Sequence, residues 1–248
     1  MTRILFSNLG YARGIDGSLQ QITRRFHRLI YCRQSTQETV LRYLKHIIVR
    51  EDPDLCCFVE IHSGGRFIGK LNQLQSLLGD EYPAFDIANK YGDDNFIRHM
   101  PLHRGRSNAF MAKKDVSFDR VYFPHGTKRL IYNVDIGRNT RVLFTHFSLN
   151  FHTRKKQFSY IANYLKSCNG HFILLADFNI FQGFTELDDF IKTTGLVILN
   201  KEDDHTFQFY KRKLALDLCI CSPEIVDNAT LKIIDQPFSD HDALLLEF

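Results

Sequence analysis

The stretch that most constrains the chain is His171-Phe-Ile-Leu-Leu-Ala-Asp-Phe-Asn-Ile-Phe-Gln182. Its apolar run, Phe172 to Ala176, is too short for a stable helix and reads as a buried strand that ends in Asp177-Phe178-Asn179. Strand alternation puts Asp177 and Asn179 on one face, roughly 6–7 Å apart, with Phe178 on the other. Two polar groups at that spacing can hold one hard cation, or a cation and a phosphate. Asp-x-Asn also starts turns, and for the tripeptide alone the turn is the simpler reading. The balance changes because the pattern recurs along the chain.

Arg3 to Ser7 reads as a strand that delivers Asn8, which can cap a turn or act as an oxygen ligand. Residues 18 to 33 place Leu19, Ile22, Phe26, Leu29 and Ile30 at helical spacing between arginines, which predicts an amphipathic helix packed on the body. Ser35 or Thr36 caps a helix to about Arg50 with Val40, Leu41, Leu44, Ile47 and Ile48 buried, stopped by Asp52-Pro53. The buried run Leu55 to Val59 delivers Glu60, a carboxylate that needs solvent, a partner or a metal. Gly64-Gly65 opens a further helix, about Phe67 to Leu78. Tyr91 to Arg106 reads as a long loop beside the site, and a loop of that length usually carries function.

Ser107 to Ala112 is a strand containing Asn108, and 116–122 and 129–135 continue from it as an antiparallel meander. The strand after Thr140 ends in His146, which as a lone histidine is commonly a hydrogen-bonded core residue. Thr153 caps a helix to about Ser167, and Thr185 begins another to about Thr194. A hairpin-like stretch surrounds His205 to Phe207, and Leu214 to Cys221 is a buried strand containing Asp217. Residues 225–234 form an edge. Ser239-Asp240-His241-Asp242 leads into a last strand, Ala243 to Phe248.

No linker or repeat divides the 248 residues, which read as one domain, and 44% hydrophobic with 24% charged residues is a globular balance. No run approaches the ~18 apolar residues of a spanning helix, and no charged and apolar leader is evident. The expectation is a cytoplasmic protein without a transmembrane segment. Its six cysteines form no CxxC pair and read as reduced core residues. The formal net charge of +4 resides in 10–36, where five arginines face one aspartate, so the rest of the chain is neutral. An anionic partner would select such a segment, as would simple solvation.

Polar side chains thus stand at or near strand ends at Asn8, Glu60, His146, Asp177 with Asn179, and Asp240 with His241, where ligand sites of α/β sheets gather. Asp217 lies within its strand, where a neighbouring histidine would satisfy it and orient the imidazole. The ordered set Asn8, Glu60-Ile61, Thr145-His146-Phe147, Ala176-Asp177-Phe178-Asn179, Leu216-Asp217 and Ser239-Asp240-His241 resembles the endonuclease/exonuclease/phosphatase superfamily. That family includes DNase I-like nucleases, abasic-site endonucleases, neutral sphingomyelinases and inositol polyphosphate phosphatases. The resemblance spans the chain and implies a four-layered α/β sandwich, two mixed sheets face to face with helices outside. Three features depart from the pattern: Ala176 replaces the usual glycine, tryptophan is absent, and the 10–36 insert matches no subfamily.

The resemblance further implies hydrolysis of a phosphate ester with Mg²⁺ or Mn²⁺, held by Glu60 with Asn8 and Asp240 nearby. Asp177 would orient or activate water, Asn179 and His146 would bind the phosphate, and His241, held by Asp217, would serve as base or phosphate ligand. Asn108, Arg98, Arg104 and Arg106 are candidate substrate contacts. Nucleic acid is the favoured substrate, a lipid headgroup or an inositol phosphate the alternative, and a catalytically silent binding module the third. No protein partner is implied.

Overall fold

A computed structural model describes residues 1–65, 71–92, 95–101 and 103–248. It contains fourteen strands among those residues: β1 Arg3–Asn8, β2 Leu55–His62, β3 Ala84–Asn89, β4 Arg106–Ala112, β5 Ser117–Tyr122, β6 Leu130–Asp135 and β7 Thr140–His146, then β8 His171–Asp177, β9 Val197–Ile198, β10 Phe207–Phe209, β11 Arg212–Leu214, β12 Asp217–Cys221, β13 Thr230–Ile234 and β14 Ala243–Glu247. The helices are α1 Leu19–Arg25, α2 Gln34–Glu51, α3 Gln73–Leu77, α4 Phe151–Lys166, α5 Asp188–Thr194 and α6 Pro223–Val226.

Twelve strands form two six-stranded sheets, ordered β13-β14-β1-β2-β4-β3 and β5-β6-β7-β8-β12-β9, while β10 and β11 pair as a separate hairpin. Each sheet is mixed, because β1 runs parallel to β2 and β7 parallel to β8 while the other pairs are antiparallel. The two parallel pairs are joined through α2 and α4, as a parallel pair requires a long crossover. Near-continuous apolar runs in β2 and β8 are the consequence of covering on both faces.

Alternation divides each central strand between two cores. Ile4, Phe6, Cys57, Val59, Phe110, Phe144, Leu175 and Leu244 pack between the sheets. Leu5, Phe58 and Leu245 turn outward onto α2, whose Val40, Leu41, Leu44, Ile47 and Ile48 are buried at the spacing expected. Leu143, Leu174 and Phe178 turn onto α4 and α5. The layers run helix, sheet, sheet, helix, which is the four-layered α/β sandwich expected.

Several expectations are corrected. The 18–33 segment is not one packed helix: α1 ends at Arg25, a single 3-10 turn covers Phe26–Leu29, and neither contains a buried residue. Leu19, Phe26, Leu29 and Ile30 face solvent instead. The expected meander is split, since β4 belongs to the first sheet and β5 to β7 to the second. Asn150, not Thr153, caps α4, accepting from the Thr153 amide at 3.0 Å. The second helix is capped from Arg33 without a side-chain bond. The helix expected over 67–78 is observed as α3 alone, and residues 67–70 lie outside the described residues. Leu214 belongs to β11, so Asp217 opens β12.

Candidate active site

Strand direction decides which residues meet. Parallel β1 and β2 end at the same edge, bringing Asn8 beside Glu60, and parallel β7 and β8 do the same for His146 and Asp177, which are paired in register. Antiparallel β12 starts at that edge, where Asp217 pairs with Asp177. Antiparallel β14 also starts there, immediately after Asp240 and His241. With the sheets face to face, both sets occupy one inter-sheet rim.

Asp177 Oδ2 is the junction. It accepts from Asn8 Nδ2 at 3.1 Å across the sheets, lies 3.1 Å from His146 Nε2, and is 3.9 Å from His241 Nε2. Asp177 Oδ1 accepts from the Asn179 amide at 3.1 Å, and Asn179 Nδ2 donates to the Phe147 carbonyl at 3.1 Å. Asn179 therefore adopts a left-handed backbone, φ 53°, which an asparagine tolerates better than most residues. His241 Nδ1 is 2.6 Å from Asp217 Oδ2, and Ser239 Oγ donates to the Asn8 carbonyl at 2.9 Å, tying the Ser239–His241 segment to β1. Thr206 Oγ1 accepts from the Asp217 amide at 2.8 Å and fixes the start of β12.

Glu60 projects through a local irregularity. The β2–β4 register shifts between Phe58 and Ile61, and Glu60 sits in the bulge at φ 54°. A bulge re-aims one side chain. The Glu60 carboxylate, one-fifth exposed, meets His146 Nδ1 at 3.5 Å and Lys90 Nζ at 2.8 Å. Lys128 Nζ contacts His146 Nε2. Asn108 is buried at the same end of the inter-sheet face, and its Oδ1 has no hydrogen-bond partner among the described residues. Arg106 lies 5.1 Å from the Tyr11 ring. Arg98 is half-buried in a 3-10 turn at Phe96–His99, and Arg104 is exposed ahead of β4.

Charge follows from burial against partners. Burial opposes ionisation of Glu60, but Lys90, His146 and Lys128 outweigh it and hold the carboxyl well below its usual range. Asp177 behaves likewise, with His146, His241 and Lys128 overcoming desolvation. Burial, with Lys128 adding to it, pushes His146 down to about 4, so it is a neutral imidazole at neutral pH. His241 goes the other way: desolvation disfavours its charge, but Asp217 and Asp177 raise it above the usual histidine range. Burial raises Asp240, and the charges of Glu60 and Asp177 add to that while His241 opposes it.

The donor types at this rim are those a hard divalent cation takes. Glu60 and Asp240 offer carboxylate oxygens that feel each other's charge, and Asn8 offers an amide oxygen. Ligand atoms of Asp177, Asp217 and His241 lie within 4.8 Å of one another, and Asp217 Oδ1 is buried without a hydrogen-bond partner among the described residues.

Two mixed sheets face to face, with acids, amides and imidazoles at one rim, form the architecture of metal-dependent phosphoesterases. The family model for the Endonuclease/Exonuclease/phosphatase family matches residues 32–241, and the chain belongs to that family. Similar solved structures include an endonuclease/exonuclease/phosphatase family protein from Leptotrichia buccalis, 17% identical over 100% of this chain and 99% of that one, TM-score 0.66. Truncated Caenorhabditis elegans TDP2 is 16% identical over 99% and 96%, TM-score 0.63. The endonuclease domain of TRAS1, a telomere-specific non-LTR retrotransposon, is 11% identical over 100% and 98%, TM-score 0.59. No curated protein sequence matches the chain at a significant level.

Sequence reasoning missed Lys90, Lys128, Tyr11 and Thr206. A signal for the lysines exists: Lys90 follows the last residue of β3 and Lys128 shortly precedes β6, both at the rim once strand directions are known. Strand β3 is a half-exposed edge of mixed polarity and gives no clear alternation, which hides Lys90.

Proposed function

We propose that the chain, acting as one domain, is a Mg²⁺- or Mn²⁺-dependent phosphodiesterase of nucleic acid. The observation that carries the reading is the meeting of Asn8, His146 and His241 around one Asp177 oxygen, with Glu60 3.5 Å from the other ring nitrogen of His146. Glu60, Asn8 and Asp240 would hold the metal, which when bound supplies a Lewis acid for a phosphoryl oxygen.

The chain's own groups divide the remaining work. Asp177, held ionised, accepts a proton from water or orients it toward phosphorus, and Asn8 and His146 fix its oxygen. His241 carries its proton on an imidazole oriented by Asp217 and donates toward charge developing on the phosphoryl group. Asn179 spends one N–H on Phe147 and keeps the other for the phosphate. Neutral His146 has one N–H, which its Nε2 directs to Asp177, while its Nδ1 faces Glu60 at 3.5 Å without a hydrogen bond among the described residues.

Nucleic acid is favoured by the β10–β11 hairpin beside this rim. Its tip exposes Phe209 and Tyr210 next to Lys211, Arg212 and Lys213, and it is tied to the rim by the Gln208 amide on the Asp240 carbonyl at 2.9 Å. Aromatic faces among cations suit stacked bases and a phosphate backbone. The second reading, a phosphoesterase of lipid headgroups, draws on the exposed apolar residues and arginines of 19–31. No helix among the described residues is long and apolar enough to cross a membrane.

The test is a panel of single- and double-stranded DNA, RNA, sphingomyelin vesicles and inositol phosphates, with Mg²⁺, Mn²⁺ or chelator. Metal-dependent cleavage of a nucleic acid supports the proposal. Turnover confined to lipid or inositol substrates transfers the function to the second reading, and no turnover on any substrate overturns both.

A further inference from the structure

Lys90 and Lys128 come from different sheets, yet the backbone brings them together. The Lys90 carbonyl accepts from the Arg129 amide at 2.7 Å and the Leu130 amide at 3.2 Å, clamping the end of β3 to the start of β6. Lys90 is 3% exposed, with Nζ bonded to Glu60 and standing 5.0 Å from the Tyr11 ring. Lys128 reaches His146 and lies within the electrostatic reach of both Lys90 and Arg106. Arg106 takes the Tyr11 ring from 5.1 Å, and Arg13 from 4.9 Å.

Around Glu60, therefore, Lys90, Lys128 and Arg106 gather from three strand ends, with Asp177 also within electrostatic reach of Lys128. The charges of Lys90 and Arg106 oppose that of Lys128, and an anion bound among them would relieve the repulsion. Two buried donors at the same place have no hydrogen-bond partner among the described residues: Arg106 Nε and the Tyr11 hydroxyl. Unsatisfied donors beside three cationic side chains are complementary to an oxyanion.

We infer that Lys90, Lys128 and Arg106, with the Tyr11 hydroxyl, form a phosphate subsite that holds the substrate's phosphate group in the absence of any divalent ion. The inference rests on the phosphoesterase reading and deepens it by naming the groups that recognise the phosphate. Lys90 has two roles under this account: it neutralises Glu60 in the free protein and bonds the phosphate oxygen in the complex. Lysine suits this exchange because its ammonium carries three rotatable donors.

The probe is inorganic phosphate, titrated calorimetrically into the full chain in chelator, with chloride at matched ionic strength as the control. Saturable binding of phosphate and none of chloride is expected. Lys90→Gln, Lys128→Gln and Arg106→Gln should each weaken phosphate binding at least about tenfold while circular dichroism stays unchanged. If Lys90→Gln fails to fold because Glu60 is left unpaired, the double variant Lys90→Gln/Glu60→Gln removes both charges and takes its place. Absence of saturable binding in chelator, or equal binding by the folded variants, overturns the subsite. A protein that binds phosphate here but hydrolyses no ester keeps the subsite and loses the phosphoesterase reading; one that hydrolyses with Mn²⁺ but binds no phosphate in chelator loses only the subsite.

Discussion

His241 Nδ1 lies 2.6 Å from Asp217 Oδ2, and the opposite ring nitrogen points toward Asp177 Oδ2 at 3.9 Å. A carboxylate on one nitrogen fixes the proton there and orients the other toward the reacting centre. His241→Ala should lower turnover between about 10² and 10⁴-fold, and Asp217→Asn should lower it while shifting the acid and base limbs of the pH–rate profile. Steady-state kinetics across pH check both. An unchanged profile in Asp217→Asn would show that the aspartate does not act through the imidazole.

Glu60 is held in a bulge with its carboxylate between Lys90 and His146. Glu60→Gln should weaken Mn²⁺ binding at least about tenfold, since an amide oxygen carries no formal charge toward the cation. Calorimetric titration of Mn²⁺ into both proteins measures it without reference to turnover.

Arg154 and Glu186 form an ion pair whose side chains are both 2% exposed, with Arg154 also donating to the Ser148 and Leu149 carbonyls at 3.0 Å. Removing one partner leaves an uncompensated buried charge. Glu186→Gln should lower the unfolding free energy by about 3–5 kcal/mol, read by urea denaturation.

Burial lowers His62 from its ordinary value to about 4, with the charges of Arg106 and Arg13 adding to that. The unfolded chain binds the proton near pH 6.5 while the folded protein does not, so stability is full above pH 6.5 and is lost as pH falls toward 4. His62→Gln should remove up to about 3 kcal/mol of the wild-type acid sensitivity over that window. Denaturation midpoints of the two proteins from pH 7 to 4 give the difference; parallel curves would place the proton elsewhere.

The hairpin tip makes a prediction about substrate. Tyr210→Ala should weaken binding of single-stranded oligonucleotide by about 1–3 kcal/mol. Replacing Lys211, Arg212 and Lys213 with Gln should flatten the salt dependence of binding without abolishing it. Fluorescence anisotropy at several salt concentrations reads both effects.

The sandwich was legible in the sequence because its central strands are buried on both faces and each is an uninterrupted apolar run, as at Leu55 to Val59 and Phe172 to Ala176. The polar residues ending those runs meet because of strand direction, which the crossovers through α2 and α4 dictate. The segment 18–33 misled, since helical spacing of Leu19, Phe26 and Ile30 fixes a face and says nothing about whether a partner covers it. Lys90 and Lys128 were missed for another reason. Their proximity to Glu60 and His146 depends on a backbone clamp between two sheets, and no local pattern encodes a contact of that kind.

The most direct measurement compares wild type with Asp177→Asn on the nucleic acid that the wild type cleaves best, with Mn²⁺ and in parallel with thermal melting. Loss of at least about 10³-fold in turnover with the melting transition retained is the result this account requires. Cleavage near the wild-type rate by a folded Asp177→Asn protein would contradict it, because the oxygen joining Asn8, His146 and His241 would then have no part in the chemistry.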